Sequence, residues 1–178
     1  MSNVLIGIIG VILFIGLALA GALFLGPRFQ ESTNNSKASA AVQAVSQAAS
    51  ALNMYRAQEG RQYTQYTLDD LKTANYLKSI PVNPVHAPYF PIVTSLNGDQ
   101  VFTSADYVVM GLSPSGENQT VTDAVCLAIA KQTGQVPSST TTVPSGTKPP
   151  LTATAGCIAL TAGFSFSNAG QRVVFARV

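Results

Sequence analysis

The chain has no tryptophan, a single histidine (His86) and only two cysteines, Cys126 and Cys157. One histidine, set in a proline-rich stretch, is read as structural or solvated. It gives little basis for nucleophilic catalysis, which needs a base beside its nucleophile. Two lone cysteines without a CxxC spacing make a poor metal site. Charge is scarce as well, at 10% of residues. The ten Lys and Arg are scattered singly, without the basic stripe of a nucleic-acid surface. The acids are isolated apart from Asp69 and Asp70, and none follows Ala124, so no carboxylate cluster is available for calcium there. No phosphate-binding glycine loop is present, because the GxxG pieces near the start are embedded in apolar sequence. The expectation is a protein that is not an enzyme, with no catalytic residue, cofactor or metal.

What the chain does have is "VLIGIIGVILFIGLALAGALFLG", Val4 to Gly26, without one charged side chain. As a helix, 23 residues reach about 35 Å, against a hydrocarbon thickness of roughly 30 Å. A secretory signal would carry a basic start and a shorter apolar core ending at a small-residue cleavage site. "MSN" is not basic and "ALFLGPRFQ" is not such a site. Arg28 and Lys37 follow the segment, and the positive-inside rule alone would put the bulk of the chain in the cytoplasm. The Ser/Thr-rich remainder instead reads as exterior. A basic leader removed ahead of Met1 would reconcile the two, making Met1 a mature N-terminus. On that exterior side, Cys126 and Cys157 favour a disulfide over two buried free thiols.

Small residues recur through the segment: Gly7, Gly10, Gly16, Gly21 and Gly26, with Gly16/Ala20 and Ala18/Ala22 one turn apart. They let helices approach closely, although Gly and Ala are also common in single membrane helices. Past Pro27 the sequence turns polar and then reads "ASAAVQAVSQAASALNMYRAQEG". There Ala41, Val45, Ala48, Leu52 and Tyr55 form one apolar helical stripe, with Gly60 as its C-cap. "YTLDDLKTANYLKSIPVNP" begins a short helix capped by Thr67, with Asp70 in the capping box and Leu68, Leu71 and Ala74 on one face. The four prolines between Pro81 and Pro91 mark an irregular loop.

This succession resembles type IV pilins and pseudopilins: an apolar helix, an Ala-rich continuation ending "NMYRAQEGRQYT", then "LDDLKTANYLKSIPVNP". The later "VTDAVCLAIAKQTG" and "GCIAL" are similar to the cysteine-bearing helix and its partner in the type IVb branch. The resemblance follows nearly the whole chain in the order of elements. It implies a Cys126–Cys157 disulfide and processing with N-methylation at Met1. It further implies a filament core formed through Val4, Leu5, Ile6, Gly7, Gly10, Gly16, Ala20, Gly21 and Gly26. Two departures stand out: Leu5 where the family usually has Glu, and no leader ending in Gly before Met1.

The distal part supplies strands and one more helix. "QVFTSADYVVMGL" follows an "NGD" turn, and "GFSFSNAGQRVVFARV" reads as a hairpin with Val173, Phe175 and Val178 in its closing strand. Between them, "TVTDAVCLAIAKQ" is a helix with Val121, Val125, Leu127, Ala128 and Ile129 on a broad apolar face. "PSSTTTVPSGTKPP", residues 137–150, is low in complexity and cannot bury a core. It reads as a surface insertion or an exposed filament decoration. The NxS/T sequons at Asn34 and Asn118 occur easily by chance.

The expected fold is therefore α+β, a long helix on a small antiparallel sheet with a disulfide-closed C-terminal region. Its parts are an apolar helix (1–27), an amphipathic continuation (28–60) and a head (61–178). Gly26 and Pro27 mark a helix break, with unwinding across Gly16–Pro27 expected in an assembled filament rather than in the monomer. The expected function is a homo-oligomeric extracellular filament, stored first in a bacterial inner membrane. The resemblance implies a prepilin peptidase, an assembly ATPase and a membrane platform as partners, and no nucleic acid. Two alternatives stand: a minor pilin or pseudopilin of a secretion system, and a membrane-anchored periplasmic binding module that does not polymerise.

Overall fold

A computed structural model describes residues 2–59, 68–85, 92–93, 107–112, 119–135, 145–146, 153–160 and 171–178. Met1, Gly60, Thr67, His86, Asn118, the "NGD" turn and "GFSFSNAG" lie outside these residues. So does the Ser/Thr/Pro stretch apart from two residues. The chain forms two compact units, Met1–Asn34 and Asn35–Val178. The fold is α+β, with helices α1 (Ser2–Glu59), α2 (Leu68–Thr73) and α3 (Gln119–Gln132). Among the described residues five strands accompany them: β1 (Ile92–Val93), β2 (Tyr107–Gly111), β3 (Ser145–Gly146), β4 (Ala155–Leu160) and β5 (Arg172–Arg177).

In the larger unit the Ala-rich part of α1 buries the expected stripe. Ala41, Val45, Ala48 and Leu52 are fully buried, and Ala38, Ala44, Ala49 and Ala51 widen it. Tyr55 packs at its edge. Alanine at so many contact positions lets the helix axis lie close to its neighbours. The ring of Tyr76 meets that of Tyr55 edge-on at 5.2 Å, and its hydroxyl donates to Gln58 Oε1 at 2.7 Å.

The sheet order is β1-β2-β5-β4-β3. Its centre is antiparallel, with Tyr107 opposite Arg177 and Val109 opposite Phe175 on one side of β5, and Cys157 opposite Val174 on the other. Alternation sorts the side chains into two clusters. Val108, Met110, Val174 and Ala176 join the core containing α1 and α3. Tyr107, Val109, Ile158, Val173 and Phe175 form a second cluster, with the Tyr107 and Phe175 rings edge-to-face at 5.7 Å. Both faces of β2 and β5 are therefore buried, which explains their near-continuous Val/Phe/Met runs.

Strand β4 and two short strands were not expected. Ile92–Val93 pairs with Val109–Met110 directly after the last proline of the irregular stretch. Ser145–Gly146 lies within the low-complexity stretch yet pairs in parallel with Ala159–Leu160. Backbone pairing at a sheet edge asks for no apolar side chain, so composition did not reveal it.

Helices α2 and α3 end in the same way. Asn75 (φ 63°) and Gly134 (φ 71°) both take the left-handed conformation. At each, the residue beyond donates back to a carbonyl five residues earlier: Tyr76 to Leu71 and Gln135 to Ala130, both at 2.9 Å. These are Schellman turns. The first corrects the expected face of α2: Ala74 is exposed past the helix end, and the reversed chain brings Leu77 into the core instead. The α3 face is corrected as well. Val121 is exposed while Thr122 is buried, its hydroxyl donating to the Gln119 carbonyl at 3.0 Å. At Gly134 an added Cβ would meet nothing within 4 Å among the described residues, so the cost of substitution there is backbone strain. Gly134→Ala should lower the stability of this unit by about 1–2 kcal/mol, read from its denaturation midpoint.

Candidate functional site: an apolar helical surface

The smaller unit contains the first part of α1. Every large apolar side chain from Val4 to Leu25 is exposed, with Leu17 at 73% and Phe24 at 79%. The most apolar window of the helix has mean hydropathy 2.8 and none of it is buried. α1 is thus long and apolar enough to cross a membrane. Covering one such side chain gains about 1.5–3 kcal/mol, so this surface left in water would forfeit tens of kcal/mol. That exceeds the roughly 5–15 kcal/mol holding a whole domain together, and the surface therefore calls for lipid or protein against it.

Helical assignment is continuous from Ser2 to Glu59 and includes Pro27. The proline ring removes the N–H that would bond the Leu23 carbonyl, leaving a weak turn without interrupting the helix. Polar character begins at the next residue. Arg28 and Glu31 pair at 3.8 Å, and the Thr33 hydroxyl bonds back to the Phe29 carbonyl at 2.9 Å. An added Cβ at Gly7, Gly10, Gly16, Gly21 or Gly26 would meet nothing within 4 Å. Among the described residues, no contact accounts for the absence of side chains there.

In the larger unit, Cys126 and Cys157 form a disulfide with a Cα–Cα distance of 5.3 Å, and both residues are fully buried. It fastens α3 to β4. A second fastening is the paired contact of Arg172 with Asp123, Nη2 lying 3.1 Å from Oδ2 and Nε facing Oδ1. This joins α3 to β5. A third is Asn83, buried between prolines: its amide donates to the Gly111 carbonyl at 2.8 Å and its oxygen accepts from the Val85 N–H at 2.9 Å. The Asn of "PVNP" is a turn signal that sequence reading passed over. The Asp123–Arg172 and Asn83 contacts join residues far apart in the chain, which no local spacing announces.

Burial raises the Tyr107 hydroxyl pKa above its ordinary value, with Arg177 opposing the shift. A shallow, open depression of about 490 Å³ lies beside α1, lined by Gln43, Gln47, Ser50, Met54, Tyr76 and Lys78 among others. Among the described residues, no three His, Cys, Asp or Glu side chains gather closely enough to hold a metal ion. The feature that demands a functional account is the exposed apolar surface.

No protein-family model, curated protein or solved structure matches the chain.

Proposed function

We propose that this protein is the structural subunit of an extracellular helical filament of the type IVb-pilin kind, assembled through its N-terminal apolar helix. The observation that carries this reading is the uninterrupted exposed apolar surface from Val4 to Leu25. It occurs on a helix whose later half is built into a disulfide-closed α+β unit. The mechanism is storage followed by transfer. The helix waits in a bilayer and then moves into a bundle of like helices, so little apolar area meets water at either stage. The Gly and Ala positions supply close approach in the bundle. The weak turn at Pro27 supplies the place where neighbours draw the segment from Gly16 to Pro27 out of regular helix. Carbonyls freed there would be costly in bare lipid, which keeps the stored form helical.

Electron microscopy of material sheared from the surface of the producing cells tests this directly. Long filaments composed mainly of this chain are expected, with Met1 processed and methylated by mass spectrometry. Leu5, in the place where resembling pilins usually carry Glu, favours a second reading as a minor pilin or pseudopilin that primes assembly. In that case the chain would occur in trace amounts within filaments made of another subunit. Its absence from all sheared material, with the chain retained in membranes, would count against both readings.

A further inference from the structure

Among the described residues, strand β4 is paired along one side and only at its end along the other. The Arg177 N–H donates to the Thr154 carbonyl at 2.7 Å. Alternation along the antiparallel ladder therefore turns the backbone groups of Gly156 and Ile158 toward β5 and those of Cys157 outward. On that outward side, β3 pairs only with Ala159 and Leu160. Among the described residues, no strand reaches Ala155–Cys157 there. The Cys157 N–H is nevertheless occupied: it donates to the side-chain oxygen of Gln135 at 3.2 Å.

Two features hold that side chain in place. The left-handed turn at Gly134 ends α3 and delivers Gln135 beside the strand. Gly156 leaves the space in which the amide lies, because a Cβ on Gly156 would coincide with the Gln135 carboxamide. A Gln amide has the donor and acceptor of a peptide group, so it satisfies a strand edge as a neighbouring residue would. Unpaired strand edges invite pairing with other chains, and proteins blunt them by covering or capping the edge.

We infer that Gln135 is an edge cap, occupying the outward N–H of Cys157 so that β4 cannot pair with a strand of a second copy. Self-association is thereby kept away from this edge. The inference concerns the α+β unit alone and stands whether or not the chain forms filaments.

The test uses the full chain in detergent micelles, comparing wild type with Gln135→Ala, Gln135→Glu and Gly156→Ala. Gln135→Glu keeps the acceptor, whereas Gly156→Ala evicts the amide without changing Gln135. At a dilution where the variants are unassociated, amide hydrogen exchange should speed up about tenfold or more at Cys157 in Gln135→Ala and Gly156→Ala, while the backbone amides at positions 156 and 158 keep their rates. Both variants should also give concentration-dependent larger species by sedimentation velocity, while Gln135→Glu behaves as wild type. An unchanged Cys157 rate would overturn the inference. So would equal acceleration at all three amides, which would mark general loosening. Faster exchange at Cys157 without added association would remove the protective role.

Discussion

Replacing both Cys126 and Cys157 with alanine should lower the stability of the α+β unit by about 3–4 kcal/mol. The bridge joins residues 31 apart in sequence. Losing it frees the unfolded chain of that loop constraint, which accounts for most of the expected effect. Both cysteines are fully buried, so truncation also leaves unfilled space between α3 and β4. The Asp123–Arg172 pair still connects α3 to β5, and the unit should fold at low temperature. Denaturant unfolding of the full chain in detergent, without reductant, should show a lower midpoint and a steeper transition, since a more open unfolded chain exposes more surface. An unchanged midpoint would mean that the bridge adds nothing to a unit already held by packing. Native, non-reduced protein should offer no thiol to an alkylating reagent.

The second large effect is expected at Gly16. Gly16→Leu should preserve folding and membrane insertion yet reduce filament yield by about tenfold or more. Among the described residues nothing lies within 4 Å of a Cβ placed there, so the unassembled chain has no reason to change. Leucine also favours the bilayer. In a bundle, the added side chain must displace a neighbouring helix, at about 1–3 kcal/mol for overpacking. Each 1.4 kcal/mol is about a tenfold change in the equilibrium for adding a subunit, and the penalty recurs at every addition. Ile12→Leu, equal in volume on the same helix, is the control and should assemble normally. Normal filaments from Gly16→Leu would reduce the segment to an anchor. Failed insertion would contradict the separation of storage from assembly on which the proposal rests.

Much of the architecture was legible because it follows from side-chain periodicity. The stripe Ala41–Val45–Ala48–Leu52 repeats every three or four residues, and burial follows it. The runs "YVVMG" and "RVVFAR" announced the two central strands. The cysteine pair was legible from its expected compartment and from family resemblance. What escaped notice depends on backbone geometry or on distant partners. Ala74 and Leu77 exchange roles because Asn75 reverses the chain, and helical spacing cannot anticipate that reversal. β3 is held by main-chain pairing and carries no strand-like residue pattern. The role of Gln135 depends on the missing side chain of Gly156, far along the chain, and neither residue stands out alone.

The Cys126–Cys157 bridge keeps the chain in one piece when a protease cuts within the Ser/Thr/Pro stretch. The peptide bonds of residues 137–150 all lie between Cys126 and Cys157. A single cut there gives two chain ends but not two separate pieces. The C-terminal fragment stays covalently joined through sulfur, and it carries β5, the strand at the centre of the sheet. A nicked chain therefore remains one molecule until the disulfide is reduced, and a cut in this stretch does not cost the protein its central strand.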